Sequence, residues 1–316
     1  MGRELSGVVV VDKPSGPTSF DVVRRVKGLF KAKRCGHTGT LDPTATGVLP
    51  ICIGDATKIA SFISEGEKEY DAVVRFGVTT DTQDSAGRAL ETRSTDELSE
   101  ARVRDALTGF VGLVEQTPPM YSARKIDGKR LYELARAGEE VEREARQVHI
   151  DEARLLFFRP PDAGIFVRCS KGTYLRTLAH DLGQKVGCGA HLKELKRVRV
   201  GPFALEDSVG LDVLMAEAKE NREGLERFVH PLSRALTDLA ELQLDTQLAR
   251  RVAHGHAPGP ADLSRLRAPP FPRGRKIRLI DPESRVLAVA ESDGVGTLKL
   301  LRVLVSGAHD LVEKDY

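Results

Sequence analysis

Residues 34–47 read Arg34-Cys-Gly-His-Thr-Gly-Thr-Leu-Asp-Pro-Thr-Ala-Thr-Gly47, which places one carboxylate, Asp42, inside a loop rich in glycine and threonine. Gly36, Gly39 and Gly47 open backbone conformations closed to other residues, and Pro43 fixes φ directly after the acid. Such a loop presents Asp42 in one direction. A basic run lies just upstream, so the carboxylate sits near cations, an arrangement suited to a nucleophile or to acid/base work. Asp-Pro after Thr-Leu is also ordinary turn chemistry, and the loop alone does not decide between the two.

The string continues as Val48-Leu-Pro-Ile-Cys-Ile-Gly-Asp-Ala-Thr-Lys58. Over this length it closely resembles the catalytic motif of the TruB family of tRNA pseudouridine synthases, whose catalytic aspartate falls on Asp42. A match of this extent is far more specific than a short glycine pattern. Lys13-Pro14 matches the family's N-terminal lysine-proline motif, and Tyr70 its active-site tyrosine. Lys171-Gly-Thr-Tyr-Leu-Arg176 matches the segment that supplies the active-site arginine. Cys188-Gly-Ala-His-Leu-Lys-Glu-Leu195 is similar to the stretch whose apolar residue, here Leu195, packs on the target base. Met120-Tyr-Ser-Ala-Arg-Lys125 and Lys129-Arg-Leu-Tyr-Glu133 resemble the family's RNA-gripping insert. These matches span roughly residues 7 to 200, whereas the C-terminal likeness to a PUA-type module rests on overall pattern.

The resemblance implies an α+β fold with a pseudouridine-synthase-like mixed sheet and helices, followed by a small C-terminal β-barrel of PUA type. It implies isomerisation of uridine to pseudouridine at position 55 in the T-loop of tRNA. That reaction breaks the N-glycosidic bond, turns the uracil and joins C5 to the ribose carbon, with no net redox change or hydrolysis, so no cofactor and no metal is expected. Asp42, Tyr70 and Arg176 form the implied catalytic set. A bidentate pair with Arg176 aims the Asp42 carboxylate and lowers its pKa, and Asp42 forms a covalent adduct at either the base or the sugar. Tyr70 stacks on the uracil and carries the proton removed from C5. The target base must first be flipped out of its stack, and His37 is implied as the wedge that fills the gap. His37, Tyr174, Leu195 and Lys13 make up the implied substrate-binding set, with Lys13 holding the Asp42 loop by hydrogen bonds. Without the resemblance, Tyr70 reads as a strand tyrosine at the core edge, Leu195 as a helix core residue and His37 as a loop histidine bonded to backbone.

Charge distribution supports an RNA partner independently. The chain of 316 residues carries a net charge of only +2, yet Arg24, Arg25, Lys27, Lys31, Lys33 and Arg34 form an acid-free run, and Arg265, Arg267, Arg273, Arg275, Lys276 and Arg278 form another. Such clusters attract phosphates. A single charge run is usually a solvated face; two make a nucleic-acid partner the better expectation. With the insert, the expected RNA contacts are Arg24, Arg25, Lys31, Lys33, Arg124, Lys125, Lys129, Arg130, Arg275 and Lys276. The four cysteines show no C-x-x-C pair and read as reduced thiols. Cys188-Gly-Ala-His191 and His254-Gly-His256 lack the second pair that a structural zinc site needs. No apolar stretch is long enough to cross a bilayer, which together with the missing signal peptide points to the cytoplasm.

Along the chain, Gly7 to Val11 reads as a buried strand, and Thr18 or Ser19 caps a helix with Phe20, Val23, Val26 and Phe30 inward. Glu69 to Gly77 alternates as a half-buried strand, and Thr79 to Gly87 reads as a polar loop. A helix opens at Ser94 or Thr95. Residues 117–148 form an excursion suited to closing over a large substrate, with a short helix ending at Gly138. Val148 to Phe158 and Ile165 to Cys169 read as strands, and Leu175, Leu178, Leu182 and Val186 mark a helix. Leu211 to Leu242 reads as largely helical. Three strands, Lys276 to Ile280, Val286 to Ala290 and Thr297 to Val305, then suggest the barrel module. The expected division is a catalytic domain over 1–240 and an RNA-binding domain over 241–316.

Relatives that work with guide RNA and protein partners carry longer extensions than the six residues before Gly7, so a stand-alone monomer with no obligatory protein partner is expected, its partner being the tRNA T-arm. The competing readings are a tRNA-folding RNA chaperone, in which binding is the main role, and a glycosidase, which needs a second acid opposite Asp42. Asp55, Asp81 and Asp84 have no motif to support that acid.

Overall fold

The valine run near the start of the chain is buried on both sides, Val8 and Val10 in one apolar cluster and Val9 and Val11 in another. A strand covered on both faces needs no polar alternation, which is why this continuous run forms β1 (Gly7–Lys13). The structure is a computed structural model that describes residues 5–121, 125–126, 129–130 and 141–304. Beyond β1, the strands are β2 (Cys35–His37), β3 (Thr46–Ile53), β4 (Lys68–Phe76), β5 (Val78–Thr80), β6 (Ala89–Thr92), β7 (Gly112–Gln116), β8 (Lys125–Ile126), β9 (Lys129–Arg130), β10 (Arg146–Arg159), β11 (Asp162–Cys169), β12 (Ala190–Val200), β13 (Phe203–Ala204), β14 (Val209–Gly210) and β15 (Val229–His230). β16 (Ala240–Gln243), β17 (Lys276–Ile280), β18 (Val286–Ser292) and β19 (Leu298–Val303) follow.

An 11-stranded mixed sheet runs β14-β1-β3-β12-β4-β11-β10-β7, with β2, β13 and β15 attached at its side. Most pairs are antiparallel, while β12 joins β3 in parallel and so closes the centre of the sheet. Helices Glu100–Thr108 and Leu175–Val186 cover one face and share a cluster with Tyr70, Val74 and Phe76 of β4. Gly183 lets the second helix lie close to β12: a Cβ there would stand 2.1 Å from Ala190 N.

The helix Ser19–Leu29 begins with a capping box between Thr18 and Asp21. Its inward stripe is Ser19, Val22, Val23 and Val26, one position round from the expected one, so Phe20 is not a core residue but 64% exposed. The next helix starts later than Ser94 or Thr95, because Ser99 supplies the cap for Glu100–Thr108. Leu195 lies on β12 rather than on a helix. Residues 211–242 are only partly helical: the helix Leu211–Glu220 is followed by a 3-10 turn, β15, the short helix Leu232–Ala235 and β16. The short helix expected to end at Gly138 lies outside the described residues.

The C-terminal strands correct a second expectation. β17, β18 and β19 fall where the sequence places strands, but among the described residues they form with β16 an open four-stranded sheet, β16-β17-β18-β19, and not a closed barrel. One face of this sheet packs on the helix Thr246–Ala253 through Leu248, Ala249 and Val252. The other brings Ile280, Val286, Val289 and Leu304 into the same cluster as Val8, Val10, Val48 and Cys52 of the large sheet. Both faces of β18 are therefore covered, and its apolar run needs no alternation.

Each large apolar side chain in that shared cluster is worth about 1.5–3 kcal/mol when buried. A chain ending at residue 239 exposes the Val8–Val10 side of it. Its thermal unfolding should begin several degrees below that of the full chain, with increased binding of a hydrophobic dye; equal melting temperatures would contradict the shared core.

Candidate active site

The Asp42 loop is held by its backbone. Lys13 is fully buried, and its Nζ donates to Pro14 O at 2.9 Å, Pro43 O at 3.0 Å and Ala45 O at 2.7 Å. Ser19 Oγ donates to Leu41 O and accepts from Leu41 N, at 3.0 and 2.8 Å. Gly16 N adds a bond to Pro43 O, and Ala45 N closes a turn onto Asp42 O. Arg197, 1% exposed, reaches Gly39 O, Thr40 O and Val48 O from β12. Gly47 is required where the loop rejoins the sheet, for its φ is +97° and a Cβ would stand 2.2 Å from Arg197 O.

The loop faces the first turn of the helix Leu175–Val186. Arg176 Nε lies 3.0 Å from Asp42 Oδ2 and Nη2 lies 3.4 Å from Oδ1, a two-pronged pair. The same guanidinium donates to Thr82 O at 3.2 Å and Tyr121 O at 2.8 Å. Asp84 Oδ2 stands 3.7 Å from Arg176 Nε, while its Oδ1 accepts from Thr82 Oγ1 at 2.6 Å and Ala86 N at 3.0 Å. The segment 79–87 is thus part of the site and not merely a polar loop.

Beside the pair opens a cavity of about 300 Å³, lined among others by Asp42, Tyr70, Tyr174, Arg176, Leu195 and Arg197. This volume is at the lower end for small-molecule pockets and suits a single planar base. Register explains the assembly: Leu195 lies opposite Ala72 and Arg197 opposite Tyr70 across β12 and β4. Tyr174 is fixed through its backbone by Gln116, which accepts from its N–H and donates to its carbonyl.

Electrostatics departs from the expectation in one respect. Burial pushes the Asp42 carboxyl above its ordinary value; Arg176 pulls it down as expected, but does not prevail, and the Asp84 charge adds to the rise. Burial lowers Lys13 to about 8, with Asp42 opposing. His37 is pushed down by burial and then by Arg197, which keeps its ring neutral near pH 7. Burial raises Tyr70, and Arg197 counteracts it.

The structure therefore brings Asp42, Tyr70, Arg176, Tyr174 and Leu195 to one cavity. His37 is half-buried on β2 with Nδ1 accepting from Gly39 N at 3.2 Å, outside the cavity lining. The Lys13 ammonium points into the loop and not toward the cavity. Arg24, Arg25, Lys31, Lys33 and Arg275 are exposed. Arg24 pairs with Asp21 at 3.4 Å, and Lys276 forms an ion pair with Glu65. Arg265 pairs with Asp245 and Asp262, and Arg278 with Glu241, so acids from elsewhere in the chain partly neutralise the second basic run. Arg124 lies outside the described residues, as do the side chains of Lys125, Lys129 and Arg130, whose backbones form the β8–β9 ribbon. The sequence assigned no role to Asp84 or Arg197. The signal available for Arg197 was its place two residues after Leu195, on the same face of a strand.

Comparison with known proteins gives the family. The sequence profile described as "TruB family pseudouridylate synthase (N terminal domain)" matches residues 27–175, and that of the "tRNA pseudouridylate synthase B C-terminal domain" matches residues 176–237. The tRNA pseudouridine synthase B of Burkholderia mallei (strain NCTC 10247) is 46% identical over 97% of this chain and 99% of its own length. That of Pseudomonas aeruginosa (strain UCBPP-PA14) is 43% identical over 96% and 97%. The chain belongs to the TruB family. Its fold is also that of a chain in the archaeal box H/ACA sRNP Nop10-Cbf5 complex, with a TM-score of 0.70 at 22% identity over 95% of this chain and 86% of that one. A chain of a Cbf5-Nop10-Gar1 complex gives a TM-score of 0.72 at 23% identity, over 95% and 85%. Among the described residues, no helix is long and apolar enough to cross a membrane.

Because burial and Asp84 both hold Asp42 above the usual aspartate value, removing the Asp84 charge should lower it. In a 13C titration of the Asp42 carboxyl, assigned with Asp42→Asn, the midpoint should lie above that of an ordinary aspartate and move down in Asp84→Asn. A midpoint already at the ordinary value, or an upward move, would contradict the electrostatic account.

Proposed function

We propose that this chain isomerises uridine to pseudouridine at position 55 in the T-loop of tRNA, with Asp42 as the nucleophile. The observation that carries the reading is the convergence of a backbone-pinned carboxylate, its two-pronged arginine partner, a tyrosine and an apolar side chain on one base-sized cavity, in a member of a family of pseudouridylate synthases.

The extruded uridine enters the cavity between Tyr70 and Leu195. Asp42 attacks and forms a covalent adduct at either the base or the sugar, the N-glycosidic bond breaks, the base turns, C5 bonds to the ribose carbon, and the bond to Asp42 breaks to return the carboxylate. The C5 proton passes to the Tyr70 oxygen as the phenol gives its own proton on to solvent, and N1 takes one proton from solvent, so atoms balance and the product is an isomer. Arg176 keeps Asp42 aimed and favours its ionised form against the effect of burial. Tyr174 shapes the cavity entrance, and Lys13 acts through the loop backbone. His37, held by Gly39 N–H near the loop, fills the gap left in the RNA stack. Residues 1–240 carry the chemistry, while residues 241–316, a PUA-type module in function, add tRNA contacts through residues such as Arg275. The enzyme works as a monomer in the cytoplasm without a protein partner.

The glycosidase reading needs room for a sugar between two acids. Asp42 and Asp84 instead converge on one guanidinium, and the space they jointly line is about 10 Å³. A chaperone role alone leaves the Asp42, Arg176 and Tyr70 arrangement without a use.

Asp42→Asn is nearly isosteric and removes the nucleophilic charge. Pseudouridine formation on unmodified tRNA transcript should fall by at least about 10³-fold, with tRNA affinity within a few-fold of the original; substantial product from the pure variant contradicts the assignment. Binding should also weaken with salt on a log-log line. Arg24→Ala with Arg25→Ala should flatten its slope by about 0.9 for each phosphate no longer neutralised, whereas Lys276→Ala, already paired with Glu65, should change it less. An unchanged slope in the double variant would place that helix away from RNA.

A further inference from the structure

Arg197 is among the largest fully buried side chains of the protein, and among the described residues no carboxylate lies within ion-pair distance of it. A buried guanidinium without an acid is costly unless its donors are otherwise satisfied. Here they are satisfied by carbonyls at both roots of the Asp42 loop. Nε donates to Val48 O at 2.8 Å, just after the Asp42 loop, and Nη2 to Gly39 O at 3.1 Å, just before it, with Thr40 O at 3.5 Å from Nη1. Arg197 also stands directly opposite Tyr70 across β12 and β4, and both line the same cavity. An arginine donates and cannot accept, so toward Tyr70 the guanidinium can act only on the phenol oxygen as an acceptor.

We propose that Arg197 is a positioning residue that couples the Asp42 loop to Tyr70. One planar fork spans both roots of the loop that carries the nucleophile and orients the oxygen that takes the C5 proton, so the two reacting groups are held at a set separation. The inference rests on the proposed isomerase activity and deepens it. Lysine keeps the charge but lacks the fork that reaches three carbonyls together. The other groups facing Tyr70 are Cys169 on β11 and Asp42 itself, and both act on the phenol in the direction opposite to Arg197. Arg197 is therefore the group on this wall that favours negative charge on the Tyr70 oxygen.

The test is a double-mutant cycle on the full chain with unmodified tRNA. Arg197→Lys and Arg197→Met are each made alone and in the Tyr70→Phe background; methionine is included because replacing a buried charge with an apolar side chain of similar length is often tolerated. Either variant, if folded, should lower kcat on the order of 30-fold with KM within about threefold, and in the Tyr70→Phe background the same change should cost less than about 10-fold. An equal cost in both backgrounds would reduce Arg197 to a staple of the loop and overturn the coupling. Unchanged kcat in a folded variant would overturn the whole inference, as would failure of both variants to fold, since that would make Arg197 a core requirement. Wild-type chain that makes no pseudouridine in the same assay would instead reject the proposed function.

Discussion

The site depends on a constraint of the backbone: the carbonyls around Asp42 are taken up by donors from other parts of the chain. Lys13 from β1, Ser19 from the first helix and Arg197 from β12 together bind Gly39, Thr40, Leu41, Pro43, Ala45 and Val48. A loop in water forfeits little by moving, because each carbonyl exchanges one water bond for another. Here movement would strand buried cations without acceptors, which costs far more than an ordinary hydrogen bond. Two buried cations thus stiffen a segment that has no regular secondary structure of its own.

Opposed charges shape the electrostatics. Burial raises the Asp42 carboxyl, Arg176 and Lys13 oppose that rise, and Asp84, which shares the Arg176 guanidinium, adds to it. The outcome is a balance of opposed effects and not a simple ion pair. A carboxylate whose pKa is held above its ordinary value is more nucleophilic than one fully stabilised by its partner.

Much of this was legible in the sequence where local chemistry decides the structure. The capping box at Thr18, the alternation in β4 and the helical spacing from Leu175 to Val186 are short-range signals, and each element formed where its signal lies. Asp42 and Arg176 were found through their motifs. What was missed depends on partners far away in the chain. Phe20 fits an inward stripe by spacing alone, and its exposure follows from how the helix rests on the sheet. Leu195 lies in a segment whose strand character comes from pairing with β4. Asp84 has no local pattern, and the place of Arg197 two residues after Leu195 is a signal only once that segment is known to be a strand; both are brought to the site by the meeting of β12, β4 and the loop. The C-terminal strands were readable one by one, whereas closure into a barrel is a property of their pairing, which local patterns do not carry. The Glu65 to Lys276 pair, which joins residues far apart in sequence, was hidden for the same reason.

The central claim is that the Asp42 carboxylate, aimed by its pinned loop, is the atom group that bonds to the substrate. The most direct test is to incubate the full chain with a T-arm RNA carrying 5-fluorouridine at the target position. Fluorine at C5 cannot leave as a proton, so the last step is blocked. Peptide mass spectrometry should then place an adduct to the base on the segment containing Asp42, or, where Asp42 bonds to the sugar and is displaced as C5 joins it, the RNA should carry a C5-fluorinated C-nucleoside; either product should be lost in Asp42→Asn. An adduct mapped to any other side chain, or one formed equally well by Asp42→Asn, would contradict the account.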